Sequence, residues 1–111
     1  MSYAGIAAPV SITDGQTIQL AEMCRLLGDP SRLRIVIACL ATPICVSELA
    51  VKTRLSPSLV SHHLRLLRAG QLLCAERHGK QVFYAPANEQ VRCTIAEIVA
   101  HARQASDPVK A

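Results

Sequence analysis

The chain has 111 residues, of which 50% are hydrophobic and 18% charged, so it reads as one domain able to fill a core rather than a disordered segment. Its aromatic residues are Tyr3, Phe83 and Tyr84, with no Trp; this favours an aliphatic helical core over a jelly roll or sugar-binding sandwich, and so short a chain leaves little room for a large catalytic cleft. Twelve Lys and Arg against eight Asp and Glu give +4, yet the stretch Lys52 to Lys80 holds six basic residues and one acid, a net of +5, leaving −1 elsewhere.

Residues 1–15 are small and polar, with Pro9 and Gly15, and are expected to form a flexible arm before a domain spanning 16–105. From Gln16 to Leu27 the apolar residues Ile18, Ala21, Cys24 and Leu27 recur every third position, which predicts a helix with Cys24 on its inward stripe. Gly28-Asp29-Pro30 stops that helix and starts another: glycine suits the position after a helix, aspartate the N-cap and proline the first turn. The second helix is predicted over Pro30 to about Leu40, burying Leu33, Ile35, Val36, Ile37 and Leu40, with Cys39 in the core. Cys45-Val46-Ser47-Glu48 has capping-box spacing, with a thiol in the cap position, and opens a short third helix that turns Leu49 and Ala50 inward.

Ser56-Pro57 repeats the cap-then-proline signal and starts a fourth helix running to about Ala69. Val60, Leu64 and Leu67 share one face of it, while Ser58, Ser61, His62, Arg65 and Arg68 occupy the other. The period then changes. Leu72 to Arg77 and Gln81 to Ala85 read as two short strands joined by His78-Gly79-Lys80, a hairpin with a basic tip. Val91, Ile95, Ile98, Val99 and Ala102 form an apolar stripe on a last helix from Asn88 to about Gln104, and 106–111 read as a flexible tail.

Helix, turn, helix and basic hairpin together predict a mainly α fold, a winged helix-turn-helix of about five helices with a two-stranded wing. In that arrangement the fourth helix offers Ser58, Ser61 and His62 to base edges, and Arg65 and Arg68 to the phosphate backbone. The hairpin's Arg77, His78 and Lys80 reach phosphates or the minor groove; Ser56 and Gln81, at the starts of helix and strand, complete the DNA-facing set. The expected partner is double-stranded operator DNA. The last helix has no later element to cover its stripe, so it is expected to pack with the first helix against a second copy. A rival reading is an interaction module of the same fold that neither binds DNA nor responds to an inducer. An enzyme is not expected, because no acid–base dyad, phosphate-cradling loop or nucleophile–histidine spacing is present, and His62 and His63 are adjacent on a helix and so diverge.

Five cysteines at 24, 39, 45, 74 and 93 are an odd number and include no C-x-x-C pair, which argues against a disulfide framework or zinc knuckle and for reduced thiols in the cytoplasm. The first ten residues lack the basic start and apolar core of a targeting segment, and the longest apolar run, Ile35 to Ala41, is far short of a membrane span.

Three motifs, Leu26-Leu27-Gly28-Asp29-Pro30-Ser31-Arg32-Leu33-Arg34-Ile35, Ile44-Cys45-Val46-Ser47-Glu48-Leu49-Ala50 and Leu55-Ser56-Pro57-Ser58-Leu59-Val60-Ser61-His62-His63-Leu64, are followed by an Arg77-His78-Gly79-Lys80 wing. Together they resemble the ArsR/SmtB family over about residues 17–104. The resemblance implies a homodimeric repressor that leaves its operator when an inducer, often a soft or transition metal ion or another thiol-directed signal, binds. It also implies where ligands belong. Cys45 matches the first ligand of the family's third-helix metal site and Glu48 a later acidic one, but Ser47 stands where a second cysteine can be, and no Cys or His precedes Gln16. At the family's second site this chain has Asn88, Gln90, His101 and Gln104, of which only His101 is a good ligand. Two further sensing sets come from the residues themselves. Cys93, Glu97 and His101, spaced i, i+4, i+8, line one helix face with S, O and N donors; the plainer reading is a solvated face. Cys45, at a helix N-terminus, is expected to be the most acidic and reactive thiol.

Overall fold

A computed structural model describes residues 10–105; the predicted tail and most of the predicted arm lie outside them. Among the described residues there are five helices and three strands. They are α1 (Asp14–Leu27), α2 (Pro30–Cys39), β1 (Ile44–Cys45), α3 (Val46–Thr53), α4 (Pro57–Ala69), β2 (Leu73–His78), β3 (Gln81–Pro86) and α5 (Glu89–Ala105).

Each helix start is a small piece of local chemistry. α1 begins two residues earlier than the apolar spacing indicates, because Thr13 and Gln16 form a reciprocal capping box: Thr13 Oγ1 accepts from the Gln16 N–H at 3.0 Å and Gln16 Oε1 accepts from the Thr13 N–H at 2.9 Å. Asp29 caps α2 by accepting the Arg32 N–H at 3.0 Å, with Pro30 in the first turn. Ser56 caps α4 by accepting the Leu59 N–H at 3.1 Å, and Asn88 caps α5 through the Val91 N–H at 2.9 Å. Cys45 occupies the N-cap of α3 without capping it. The expected capping box does not form there, because the thiol turns toward the side chains of Ser47 and Glu48 instead.

The expected two-stranded wing is the larger part of a three-stranded antiparallel sheet of order β1-β3-β2. β1 pairs Ile44 with Tyr84 and Cys45 with Phe83. A strand of two residues is too short to show a period of two, so sequence pattern alone does not reveal it. Its consequence is mechanical: the residue that precedes α3 is also hydrogen-bonded into the hairpin, so wing and helix-turn-helix are one body.

Leu26, Ile35, Val36, Leu49, Val60, Leu64 and Leu67 form the centre of an aliphatic core, joined by Ile44, Leu72, Leu73 and Ile95. Cys39 lies in it as expected. Two expected positions differ. Ile37 is 39% exposed, and the α1 stripe is turned outward, with Ile18 71% exposed and Cys24 exposed, while Leu26 makes the buried contact. Among the described residues no other element covers that side of α1. An apolar groove of about 590 Å3 therefore remains open between α1, α2 and α5, lined by Cys24, Leu27, Leu33, Ile37, Ile98 and Val99 among others. Among the described residues no helix is long and apolar enough to cross a membrane.

Candidate nucleic-acid interface

The turn between α3 and α4 sets the direction of the second helix. Arg54 ends α3 in the left-handed region at φ 61°, and the Leu55 N–H reaches back to the Ala50 carbonyl at 3.2 Å. Only Arg54 and Leu55 separate the end of α3 from the Ser56 cap of α4. α4 buries Val60, His63, Leu64 and Leu67. Ser58, Ser61, His62, Arg65 and Arg68 are all exposed, as is Ser56, and the helix contains no acid. A major groove admits a helix with such a face, since short hydroxyls and an imidazole can meet base edges while the arginines meet phosphates. Arg65 and Arg68 share a cleft with Cys74 and Ala75 of β2, which places the end of α4 beside the base of the wing.

β2 and β3 are in register from Leu73 opposite Pro86 to His78 opposite Gln81, so the turn at the tip is the two residues Gly79-Lys80. Gly79 takes φ 66°, a conformation that glycine adopts without strain. Arg77, His78, Lys80 and Gln81 are exposed around this tip. His78 is oriented by its neighbours, with its ring edge-on to Phe83 at 5.4 Å and Nε2 3.6 Å from a carboxylate oxygen of Glu76, the stretch's single acid.

The thiols fall into different environments. Cys45 is 9% exposed; its Sγ lies 3.3 Å from Ser47 Oγ and donates to Glu48 Oε1 at 3.5 Å. Cys93 is exposed and donates to Glu89 Oε2 at 3.4 Å, and this hydrogen bond holds the thiol above its ordinary pKa. Glu89 is also paired with Arg92. Cys93 thus turns to Glu89 rather than to Glu97, and Glu97 and His101 are exposed further along α5. Burial pushes the Cys39 thiol up to about 12, with the Cys74 thiol adding to the effect, so Cys39 is inert. Cys74 itself donates to the Pro86 carbonyl at 3.5 Å. Among the described residues no three His, Cys, Asp or Glu side chains converge on a point that can hold a metal ion. Within one chain, neither the Cys45–Glu48 set nor the Cys93–Glu97–His101 set fits a resident metal.

Sequence pattern named the exposed face of α4 but passed over two residues that shape it. Arg54 gives no signal, since left-handed arginines have no pattern. His63 does give one, because its spacing from Val60 and Leu67 puts it on the apolar face.

Comparison with known proteins gives a consistent picture. The family model described as "Bacterial regulatory protein, arsR family" matches residues 29–72, from the α2 cap to the start of the wing. The chain is 38% identical over 89 residues to a transcriptional repressor SmtB homolog from Synechocystis sp., a match covering 80% of this chain and 67% of that protein. Two mycobacterial SmtB repressors are covered over 60% of their length, so the chain spans 60 to 67% of these relatives. The NMR structure of the cadmium sensor CmtR from Mycobacterium tuberculosis superposes with a TM-score of 0.64 at 38% identity, over 71% of this chain and 82% of that one. The same fold recurs in the homodimeric winged helix-turn-helix DNA-binding domain of a candidate ArsR-family regulator from Mycobacterium bovis, at a TM-score of 0.78 and 24% identity, covering 88% of this chain and 91% of the other.

Proposed function

Because the chain belongs to the ArsR family of bacterial regulatory proteins, we propose that it is a cytoplasmic, homodimeric repressor that binds a roughly palindromic operator and releases it on a thiol- or metal-directed signal. One observation carries the DNA-binding reading: the solvent side of α4 carries Ser58, Ser61, His62, Arg65 and Arg68, beside an exposed Leu59 and with no acid, and a basic wing follows it. Ser61 and His62 read base edges in the major groove. Arg65, Arg68, Arg77 and Lys80 neutralise phosphates, with Ser56, Ser58, His78 and Gln81 at the margins. The open groove between α1, α2 and α5 supports pairing through the first and last helices, and the homodimeric Mycobacterium bovis neighbour is consistent with it.

For the release signal we favour chemistry at Cys45. Its thiol sits between Ser47 and Glu48 at the junction of β1 and α3. A modified Cys45 no longer fits that junction, which links the wing to the helix-turn-helix. A metal needs donors beyond those one chain brings together, whether at Cys45 or at Cys93, Glu97 and His101.

Fluorescence anisotropy with duplexes selected from a random pool tests the reading. Affinity falls roughly 10³-fold or more between about 50 and 200 mM salt if six or more phosphates are neutralised. Arg77→Ala and Lys80→Ala weaken binding to all sequences alike and lower the salt slope by about one each, whereas Ser61→Ala and His62→Ala change the preferred sequence by roughly 1–3 kcal/mol. An absence of salt-sensitive duplex binding returns the protein to the interaction-module reading. Release assayed with Zn, Cd, As(III), peroxide and polysulfide on wild type, Cys45→Ser and Cys93→Ser identifies the sensing thiol; if neither change matters for any inducer, the sensing assignment fails and the DNA assignment stands.

A further inference from the structure

We propose that His63 is a positioning residue that seats the recognition helix α4 on the Asp29–Arg32 start of α2 in its neutral form, and that its protonation unseats the helix and weakens operator binding. The inference rests on the DNA-binding reading of α4.

Two adjacent histidines serve opposite sides of one helical turn. His62 is exposed, and its ring centroid lies 5.7 Å from that of His63, the planes tilted by 54°. His63 is only 8% exposed, and among the described residues its Nδ1 is buried without a hydrogen-bond partner. Around it are groups already committed elsewhere. Asp29 caps α2, and Arg32 donates through Nε to the Leu26 carbonyl, in the last turn of α1, at 2.8 Å. This Asp–Arg unit therefore ties the end of α1 to the start of α2; α4 packs on α2, and His63 lies within the field of that unit.

The field at the imidazole has three charged sources: Asp29 favours the protonated form, while Arg32 and His62 oppose it. α4 also packs on α3 and β2. The charged residues there, Glu48 and Lys52 on α3 and Glu76, Arg77 and His78 on β2, are exposed. Burial outweighs these charges and holds His63 below its ordinary pKa. A neutral ring tolerates an unpartnered Nδ1 far better than an imidazolium does, since a buried charge without an acceptor is among the least tolerated arrangements in a protein. A proton on Nδ1 is accommodated only if Asp29 leaves its cap or α4 moves outward. Either change shifts the helix that carries Ser61 and His62. Exposed imidazoles act in the opposite sense: a proton on His62 or His78 adds positive charge at the surface and strengthens attraction to phosphate. The sign of the pH dependence thus separates the buried histidine from the exposed ones.

The test uses the whole chain and a duplex that the wild type selects from a random pool at about pH 8, titrated at fixed ionic strength down to about pH 5.5, across the range where histidines charge. His63→Gln keeps a neutral polar side chain and is expected to bind as the wild type does at the upper end. At the lower end the wild type binds roughly tenfold more weakly than His63→Gln, whose affinity holds or rises. Asp29→Asn retains a capping side chain but removes the carboxylate; the fall in affinity moves to lower pH. This variant, with NMR titration of the wild-type histidine rings, carries the test if His63→Gln does not fold. His63 titrates below the ordinary imidazole value, and α4 amide shifts follow it. Parallel profiles in wild type and His63→Gln, or a His63 whose titration leaves α4 unmoved, overturn the proposal while DNA binding stands. A wild type that holds no duplex at about pH 8 overturns the DNA reading itself, and the ring titration then shows separately whether α4 moves with His63.

Discussion

Gly70, at the end of α4, shows how a single side chain's absence shapes this molecule. Its φ is an ordinary −83°, so conformational freedom is not what the site requires. A Cβ there stands 2.3 Å from Leu26 Cδ1, a buried core atom, so the position needs the close approach of α1 and α4. Gly70→Ala is expected to destabilise by about 1–3 kcal/mol in chemical denaturation, because Leu26 must leave its packed rotamer. The left-handed conformation falls instead on Gln71, at φ 63°, where Gln71→Gly is expected to change stability by less than about 1 kcal/mol. His63 makes a residue-scale prediction that needs no DNA. It is harder to protonate folded than unfolded, so its neutral form contributes stability above the ordinary imidazole value, and that contribution is lost as pH falls from there toward the folded value. Thermal melts between about pH 7.5 and 5.5 should fall more steeply for wild type than for His63→Gln; equal slopes contradict the burial argument. The spacing of His63 from Val60 and Leu67 carries an inward signal that the sequence reading passed over, and the charges on α2 that act on it were invisible there, being about thirty residues away in the chain.

At the scale of elements, caps decide where helices begin, and the cap of α4 stands at the candidate interface. Ser56→Ala removes the acceptor for the Leu59 N–H and should cost about 1 kcal/mol. Ser56→Asp separates the two jobs of this residue. Aspartate caps as well as serine and suits a helix N-terminus, so the melting temperature is retained, while a new anion beside phosphates lowers duplex affinity. If Ser56→Asp leaves affinity unchanged, α4 does not enter a groove by its N-terminal end. The caps at Asp29 and Ser56 were legible because each stands directly before a proline, Pro30 and Pro57, in a dipeptide signal. The failed cap at Cys45 was not, since its thiol takes side-chain partners once β1 has fixed its direction.

At the scale of the whole molecule, the open groove and its rim make one strong prediction. Ile98 is 59% exposed in a single chain and Ile18 71%, more than isolated apolar side chains on a charged surface need. Ile98→Glu should leave the folded chain intact by circular dichroism yet give a monomer in sedimentation, with duplex affinity falling roughly tenfold or more as the second half-site contact is lost. A dimer that survives the change moves the interface elsewhere.

The order of the helices and the hairpin, the polar face of α4 and the basic tip of the wing were readable in the chain, because caps, turn residues and periodicity act over a few neighbouring positions. The strand at Ile44–Cys45, the outward turn of the α1 stripe, the separation of the thiols and the burial of His63 within the field of Asp29 and Arg32 depend on segments distant in sequence meeting in space. Local chemistry determined the parts. Packing between them decided which side chains face solvent, which face the core and which line the open groove.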